Sequence, residues 1–194
     1  MTPADVAAIF AVGLVIVIVG YVVLASYNAV VALRQRIDKA WSNIGVVLRQ
    51  RHDQLPNLVS AVRGLMTYER DVLTRVTEAR AAYAPDAPIP DQAQTSEATT
   101  AAVRSLFAVV ERYPDIKSAA NVADLQDEIE RLEAMIADRR ELYNDQVYRY
   151  NTRIATFPAL PLAVLLGWQP REFFAARPDE AVRPATELGR GHPG

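Results

Sequence analysis

Residues 6–25 read VAAIFAVGLVIVIVGYVVLA, which is twenty consecutive residues without a charged side chain. An α-helix rises about 1.5 Å per residue, so a stretch of this length crosses the roughly 30 Å hydrocarbon core of a bilayer. Because lipid offers the backbone no hydrogen-bond partners, a single spanning segment must be helical. The sequence therefore predicts one transmembrane helix at residues 6–26, which contacts membrane lipid, after a short extracytoplasmic leader at residues 1–5.

A cleaved signal peptide is the alternative interpretation of this stretch. Such a peptide has a basic leader and an apolar core of about 7–15 residues, whereas this leader contains Asp5 and no basic residue. An uncleaved anchor fits better. Arg34, Arg36 and Lys39 follow the apolar stretch, and basic residues favour the cytoplasmic side. We therefore predict that the amino terminus lies outside and the rest of the chain lies in the cytoplasm.

The remainder of the chain has the periodicity of amphipathic helices. Apolar residues recur at alternating steps of three and four, which places them on one helical face. This pattern predicts four helical segments, at about residues 27–51, 53–83, 96–112 and 121–157. The apolar stripe of the last segment stays close to a seven-residue repeat, as in coiled coils, and favours long, nearly antiparallel packing. The predicted inward positions of that segment are Val122, Leu125, Ile129, Leu132, Met135, Ile136, Tyr143, Val147, Tyr150, Ile154 and Phe157.

The boundaries between these segments follow from turn residues. Asp53 can cap a new helix and Pro56 is tolerated in a first turn, so we predict a helical hairpin at residues 51–57. A single long helix kinked at Pro56 is the alternative. Residues 84–95 contain three prolines without periodicity and are predicted to form a loop.

The predicted architecture is all-α: a transmembrane helix followed by an antiparallel up-and-down four-helix bundle at residues 27–174. A short apolar helix is expected at about residues 161–167, where it would close the end of the bundle; contact with lipid or a partner is the alternative. Residues 175–194 are rich in Pro, Gly and charge and are predicted to be disordered.

Composition argues against several classes of function. The chain has 21 basic and 23 acidic residues, so its net charge of −2 gives no general attraction to nucleic acid. With only two histidines, the paired Glu-x-x-His motifs of di-metal bundles cannot form. The sequence lacks cysteine, a Gly-x-Ser-x-Gly motif and a Gly-rich phosphate loop. We therefore expect no enzyme activity, no metal and no cofactor.

Several polar and aromatic residues beside the apolar stripes are the candidate functional positions. A tyrosine can bury its ring and still place its hydroxyl on a partner, and an inward asparagine can fix helix register. Such residues either determine how the helices pair or recognise another protein, and the structural interpretation is favoured. The candidates are Trp41, Asn43, Arg51, His52, Asp53, Asn57, Glu69, Tyr143, Asn144, Tyr150 and Asn151.

These residues also stand in blocks that resemble the LemA family. The first block comprises Tyr27-Asn28, Leu33-Arg34, Ala40-Trp41-Ser42-Asn43-Ile44, Arg51 to Val59, Val62-Arg63-Gly64, Glu69 and Val76 to Arg80. The second comprises Tyr113 to Lys117, Leu125-Gln126, Glu130, Glu133, Ile136, Arg139-Arg140, Tyr143-Asn144-Asp145, Val147, Tyr150-Asn151, Phe157-Pro158 and Phe173-Phe174. The resemblance implies an amino-terminal anchor, a cytoplasmic helical bundle and residence in the bacterial inner membrane, without an established reaction or cofactor. Tyr68, Val122 and Ala134-Met135 depart from the family's pattern.

Three functional hypotheses are compatible with these observations. The leading one is a membrane-anchored scaffold that binds an unidentified protein through the residue 51–57 junction, the residue 143–151 stretch or the apolar segment after Phe157. The first rival is a ligand-binding sensor or enzyme with a cleft near His52, Asp53, Asn57 and Glu69. The second is a self-associating protein that shapes the membrane.

Overall fold

The computed structural model describes residues 3–63, 69–117 and 119–175. The elements in these ranges are helices, with no strand among the described residues. They are α1 (Pro3–Arg63), α2 (Arg70–Ala81), α3 (Ile89–Val110), α4 (Pro114–Lys117), α5 (Ala120–Ile154) and α6 (Leu160–Leu166). The tail that was predicted to be disordered lies outside the described residues, apart from Ala175.

The amino-terminal apolar stretch belongs to a helix much longer than itself. α1 has 61 residues and contains one window long and apolar enough to cross a membrane, judged by length and composition. None of that window is buried by the rest of the protein. The charge-free stretch therefore continues into the helical domain without a break in the helix.

The predicted hairpin at residues 51–57 is wrong, because α1 continues through Pro56 to Arg63. Proline has no N–H to donate, so the carbonyl four residues earlier, that of His52, loses its partner within the helix. The Arg80 side chain lies beside this carbonyl, and its Nε donates to the His52 oxygen over 3.4 Å. A side chain from α2 thus replaces the missing backbone donor. Residues 64–68, which include Met66 and Tyr68, lie outside the described residues.

The predicted loop at residues 84–95 is too long, since α3 already begins at Ile89. Pro90 lies in the first turn of α3, where a backbone N–H has no helical partner to lose. The preceding segment is held by Gln92, whose Nε2 donates to the carbonyls of Pro85 and Ala87 at 2.9 and 2.8 Å. A short α4, which was not predicted, begins at Pro114.

The apolar segment after α5 also departs from expectation. Phe157 was placed in the core, but 81% of it is exposed, and α5 ends three residues before it, at Ile154. In α6, Val164 and Leu165 are 76% and 78% exposed, while Ala163 is buried. The prediction that this segment closes the end of a bundle is therefore wrong for its large side chains.

The chain divides into two compact units. Unit 1 comprises Met1–Val46 and Ala137–Glu172. There α1 and α5 run antiparallel, because Trp41 packs on Tyr143 with ring centroids 5.6 Å apart and Arg139 Nη1 donates to the Asn43 carbonyl at 2.8 Å. The α5 side of the unit 1 core coincides with the predicted stripe and contains Tyr143, Val147, Tyr150 and Ile154. The α1 side contains Val30, Ile37, Ala40 and Ile44.

Unit 2 comprises Val47–Ile136 and the residues from Phe173 onward. α1 and α2 run antiparallel, since Arg80 near the end of α2 reaches His52, and α2 packs against α3. Burying each large apolar side chain contributes roughly 1.5–3 kcal/mol to folding, so this core is the main source of stability. Its fully or nearly fully buried residues include Val47, Leu55, Leu58, Val62, Val76, Val103, Leu106, Ile129 and Leu132.

Candidate functional site

A buried charge network joins three helices of unit 2 around Arg51. The Arg51 guanidinium donates to Glu133 Oε1 at 2.6 Å, Thr100 Oγ1 at 3.0 Å and Ser96 Oγ at 2.9 Å. Thr100 in turn donates to Glu133 Oε2 at 2.6 Å. Arg51 is only 3% exposed, and the buried cation is stabilised because its carboxylate and hydroxyl partners are all in place.

The Arg51 network fixes which faces of α1, α3 and α5 pack against one another. Arg51 lies on α1, Ser96 and Thr100 on α3, and Glu133 on α5. Arg51 was predicted as a candidate functional residue, whereas its three partners were not. Ser96 and Thr100 are four residues apart and so share one face of α3, but they stand in a run that also contains Thr95 and Thr99, so the sequence carries no signal that distinguishes them.

A second cluster holds the segment that follows α6 against α5 in unit 1. Tyr143 Oη donates to the Glu172 carbonyl at 2.8 Å, and Tyr150 Oη donates to the Gln169 carbonyl at 3.1 Å. Asn151 makes a reciprocal pair with the Arg171 backbone, donating at 3.0 Å and accepting at 2.8 Å. The predicted Tyr143–Asn151 stretch therefore binds the protein's own carboxyl-terminal segment through these side chains.

The electrostatics of this cluster follow from burial. Burial raises the pKa of Tyr143 to about 12, with Glu172 and Asp38 adding to the rise and Arg171 opposing it. The phenol therefore remains a hydrogen-bond donor at any physiological pH. Trp41 covers the ring from α1, and the Arg171 guanidinium lies 3.6 Å from the Asp38 carboxylate. Asp38 and Arg171 were not predicted and add a weak link between α1 and this segment.

His52 lies in a third cluster, on the side of α1 that faces α2. Its ring lies 4.9 Å from that of Tyr83. Burial lowers the pKa of His52, as does the neighbouring Arg80 charge, and Asp53 partly offsets both. Nδ1 of His52 is buried without a hydrogen-bond partner among the described residues. The imidazole is therefore neutral at pH 7 and packs as an aromatic ring.

The structure does not assemble the cleft that was predicted around His52, Asp53, Asn57 and Glu69. Glu69 precedes α2 and contacts Arg112 at 3.2 Å and Tyr113 Oη at 3.4 Å. His52 contacts the other end of α2, whose twelve residues span about 18 Å. Glu69 is therefore remote from the other three residues.

The remaining asparagines occupy different environments. Asn57 is exposed and donates to Gln54 on its own helix at 3.0 Å. Asn43 is exposed, and its backbone carbonyl rather than its side chain accepts the bond from Arg139. Asn144 is half-buried. Of the four candidate asparagines, Asn151 thus has the clearest structural role.

An open groove of about 170 Å³ separates α1 from α2 in unit 2. Most of its surface is apolar, and it is lined by Leu55, Pro56, Val59, Ser60, Arg63, Val76, Thr77 and Arg80. Small-molecule sites usually have a volume of about 300–1,000 Å³, so this groove is small for a metabolite. Within the described ranges, no group of three or more His, Asp or Glu side chains is placed to hold a metal ion.

Comparison with known proteins establishes the family. The sequence model of the LemA family matches residues 40–187, which is most of the chain. The chain belongs to the LemA family. The matched region includes Arg51, Glu133 and the Tyr143–Asn151 stretch, so both polar networks of this LemA-family protein lie inside the family domain.

Curated relatives match a shorter part of this LemA-family chain. Magnetosome proteins MamQ 1 and MamQ 2 of Paramagnetospirillum magneticum are each 36% identical to it over 77 residues. Magnetosome protein MamQ of Magnetospirillum gryphiswaldense is 32% identical over 77 residues. The matched segment covers 40% of this chain and 28% of each relative, so less than a third of the length of these relatives is represented.

Proposed function

We propose that this protein is a single-pass, membrane-anchored LemA-type module that binds another protein at the bacterial inner membrane and catalyses no reaction. The amino terminus lies outside and the domain lies in the cytoplasm. The long helices α1, α2, α3 and α5 form an antiparallel up-and-down bundle. The observation that carries the proposal is that the polar candidate residues bond to the protein's own chain rather than converge on an open cleft.

The anchor is supported by the character of α1. Its apolar window is unburied, and residues 6–33 contain no charged side chain. Because exposed apolar surface of this extent is unfavourable in water, a lipid environment is the simplest complement. Arg34, Arg36 and Lys39 follow the charge-free stretch and support the proposed orientation.

The bundle is supported by pairwise contacts within each unit. In unit 1, α1 and α5 are antiparallel neighbours. In unit 2, α1 contacts α2 through His52 and Arg80, and α1, α3 and α5 meet at the Arg51 network. Helices joined by short connections and packed antiparallel to their neighbours are characteristic of up-and-down bundles.

A non-catalytic role is supported by the state of the candidate residues. A catalytic base must reach substrate, and a nucleophile must lie within hydrogen-bonding distance of its base. Here the hydroxyls of Tyr143 and Tyr150 donate to backbone carbonyls, and Arg51 is enclosed by its partners. These interactions stabilise the fold and leave recognition to other surfaces, such as the exposed apolar side chains of Val46 and Leu142.

Crosslinking of the full-length protein in its native membrane, followed by affinity capture, tests this function. The informative variant is Val46→Asp/Leu142→Asp, which changes two side chains that are 53% and 51% exposed. The matched control is Ala98→Asp, at an exposed position of α3. Both variants should keep the melting temperature of the parent, since exposed substitutions rarely alter stability by more than about 0.5 kcal/mol.

The proposal predicts one recurrent crosslinked protein with the parent and with Ala98→Asp, and its loss with the double variant. Capture of a second copy alone would favour the self-associating alternative. A purified full-length protein that turns over or retains a small molecule would contradict the non-catalytic proposal.

A further inference from the structure

The largest group of exposed apolar side chains outside the candidate membrane span lies at the carboxyl end of α5 and along α6. Phe157, Val164 and Leu165 are each more than three-quarters exposed, and Leu160 and Leu166 are nearly half exposed. All five belong to unit 1 and fall within ten residues of sequence. A cluster of this kind on a protein surface marks a site of contact with another apolar phase.

The position of α6 relative to α1 indicates that the apolar surface it contacts is membrane lipid. The rings of Trp168 and Tyr27 lie 5.9 Å apart. Tyr27 comes two residues after the apolar stretch that ends at Ala25, a distance of about 3 Å along the helix. Tyrosine and tryptophan are enriched at both membrane–water interfaces, because their rings are apolar while their N–H and O–H groups remain hydrated. The pair marks the level at which α1 leaves the bilayer.

The path of the chain holds α6 at this level. Gly167 adopts a left-handed conformation with φ of 64° and ends the helix, and the Trp168 N–H then bonds back to the Ala163 carbonyl at 2.9 Å. The next residue, Gln169, is fixed to α5 by Tyr150. Trp168 therefore lies between two fixed points, and α6 cannot swing away from Tyr27 without breaking these bonds.

The register of α1 against α5 gives a second, independent estimate of the same level. The contacts of Trp41 with Tyr143 and of Asn43 with Arg139 set this register. Continued along both helices, it places Ile154 opposite about Val30, five residues beyond the end of the apolar stretch at Ala25. Both residues are buried, as this pairing requires. The exposed Phe157 follows Ile154 and so lies close to the end of that stretch.

Charge in this region is compatible with entry into lipid. Residues 154–170 contain no charged side chain, so inserting their apolar groups removes no charge from water. Arg153 and Arg171 flank the segment, and anionic headgroups attract basic side chains at the membrane surface. An apolar segment bounded by arginines is typical of an element that lies in the interface.

We infer that Phe157 and α6 insert their exposed apolar side chains into the headgroup–acyl boundary of the membrane that α1 crosses. They form a second, interfacial anchor that holds unit 1 against the lipid surface. This inference rests on the proposed anchoring by α1. It adds a lipid-binding site at the carboxyl end of α5. The segment would contact the membrane leaflet from which the carboxyl-terminal end of the transmembrane stretch emerges.

The test places one environment-sensitive fluorophore at each of three positions of the full-length, cysteine-free protein. Leu165→Cys reports on α6, and Val17→Cys, which is 68% exposed, reports on the anchor. Leu142→Cys is the control, because it replaces a leucine of unit 1 that is also exposed, at 51%, and that lies opposite about Trp41, some 24 Å beyond Ala25. Each variant is reconstituted into phosphatidylcholine–phosphatidylglycerol vesicles with or without acyl-chain spin-labelled lipid.

The inference predicts blue-shifted emission and quenching by spin-labelled lipid at Val17 and Leu165, severalfold stronger than at Leu142. Quenching at Val17 with water-like emission at Leu165 would overturn the interfacial anchor and leave the transmembrane anchor intact. Blue-shifted but unquenched emission at Leu165 would also overturn it, because a protein would then cover the patch. The absence of quenching at Val17 would contradict the proposed anchoring itself.

Discussion

At the scale of single residues, Arg51 is notable as a charged side chain that is almost fully buried. Removing one partner of a buried ion pair leaves the other charge without compensation, whereas replacing both by apolar groups avoids that cost. The Arg51–Glu133 distance of 2.6 Å and the bonds to the hydroxyls of Ser96 and Thr100 show that the guanidinium joins α1 to both α3 and α5. The network therefore determines which helix faces pair.

Glu133→Ala should lower the free energy of unfolding by about 2–3 kcal/mol, because it leaves the Arg51 guanidinium buried without its carboxylate. The double variant Arg51→Met/Glu133→Leu should recover much of that loss. Chemical denaturation of the detergent-solubilised full-length protein measures both effects. Glu128→Ala removes an exposed pair with Arg131 and is the control, which should leave the midpoint unchanged. A double variant less stable than Glu133→Ala would contradict this account.

Tyr143 gives a prediction about alkaline pH. Its pKa is raised to about 12 in the folded protein, whereas an unfolded tyrosine ionises near 10. Between these pH values the folded state binds more protons than the unfolded state. The contribution of Tyr143 to the free energy of unfolding is therefore fully present below about pH 10 and declines as the pH rises toward 12. Tyr143→Phe should make this decline shallower.

Tyr143→Phe should also cost about 1 kcal/mol at neutral pH, because the Glu172 carbonyl loses its donor. Thermal unfolding followed by circular dichroism at pH 8 and pH 11 measures both effects. The control is Tyr148→Phe, at a tyrosine that is 49% exposed, and it should retain the full alkaline decline. An equal decline in Tyr143→Phe and the parent would exclude Tyr143 as its source.

At the scale of elements, α1 is unusual because it continues through a proline. Proline in a helix interior costs about 3 kcal/mol through the lost hydrogen bond and the clash with the preceding turn. The Arg80 side chain offsets part of this cost, since its Nε donates to the His52 carbonyl that Pro56 leaves unpaired. The hydrogen bond is long, at 3.4 Å, so the compensation is partial.

Pro56→Ala should therefore stabilise the protein by about 1–3 kcal/mol, because alanine restores the backbone donor to the His52 carbonyl. Arg80→Leu should lower the free energy of unfolding more in the parent protein than in the Pro56→Ala variant. A double-mutant cycle measured by chemical denaturation gives that difference. Were Pro56 instead in the first turn of a separate helix, its replacement would give no such gain. A neutral or destabilising Pro56→Ala would contradict the continuous helix.

At the scale of the whole molecule, the proposed topology can be tested because the chain contains no cysteine. Thr2→Cys marks the leader, and Ala98→Cys marks an exposed position of α3. With the amino terminus outside, a membrane-impermeant maleimide should label Thr2→Cys in intact spheroplasts and Ala98→Cys only after lysis. The reverse pattern would place the domain outside, since large domains can cross a membrane regardless of flanking charge.

The helical class, the candidate membrane span and many of the core positions are predictable from the amino-acid sequence. The reason is that these features are encoded by local patterns: a charge-free run of sufficient length, and apolar residues spaced by the helical period. Ile129, Leu132, Ile136, Tyr143, Val147 and Tyr150 were predicted to face inward and are buried. The LemA family was also identifiable from the order and spacing of the residue blocks.

Features that depend on partners remote in sequence are visible in the folded structure alone. Pro56 lies within α1, and Arg80 of another helix supplies a donor that partly compensates for the missing backbone N–H. Arg51 is buried because Ser96, Thr100 and Glu133 converge on it. When such partners are not known, a basic residue is expected to be exposed to solvent.

The apolar segment at α6 shows the same limit. Hydrophobicity gives no indication of whether a side chain packs inside a protein or faces lipid, since both environments are apolar. The contact between Tyr27 and Trp168 places α6 close to the apolar stretch that ends at Ala25, and this placement supports the inference that α6 lies at the lipid surface. Such placement follows from the packing of α1 against α5, which local sequence patterns do not specify.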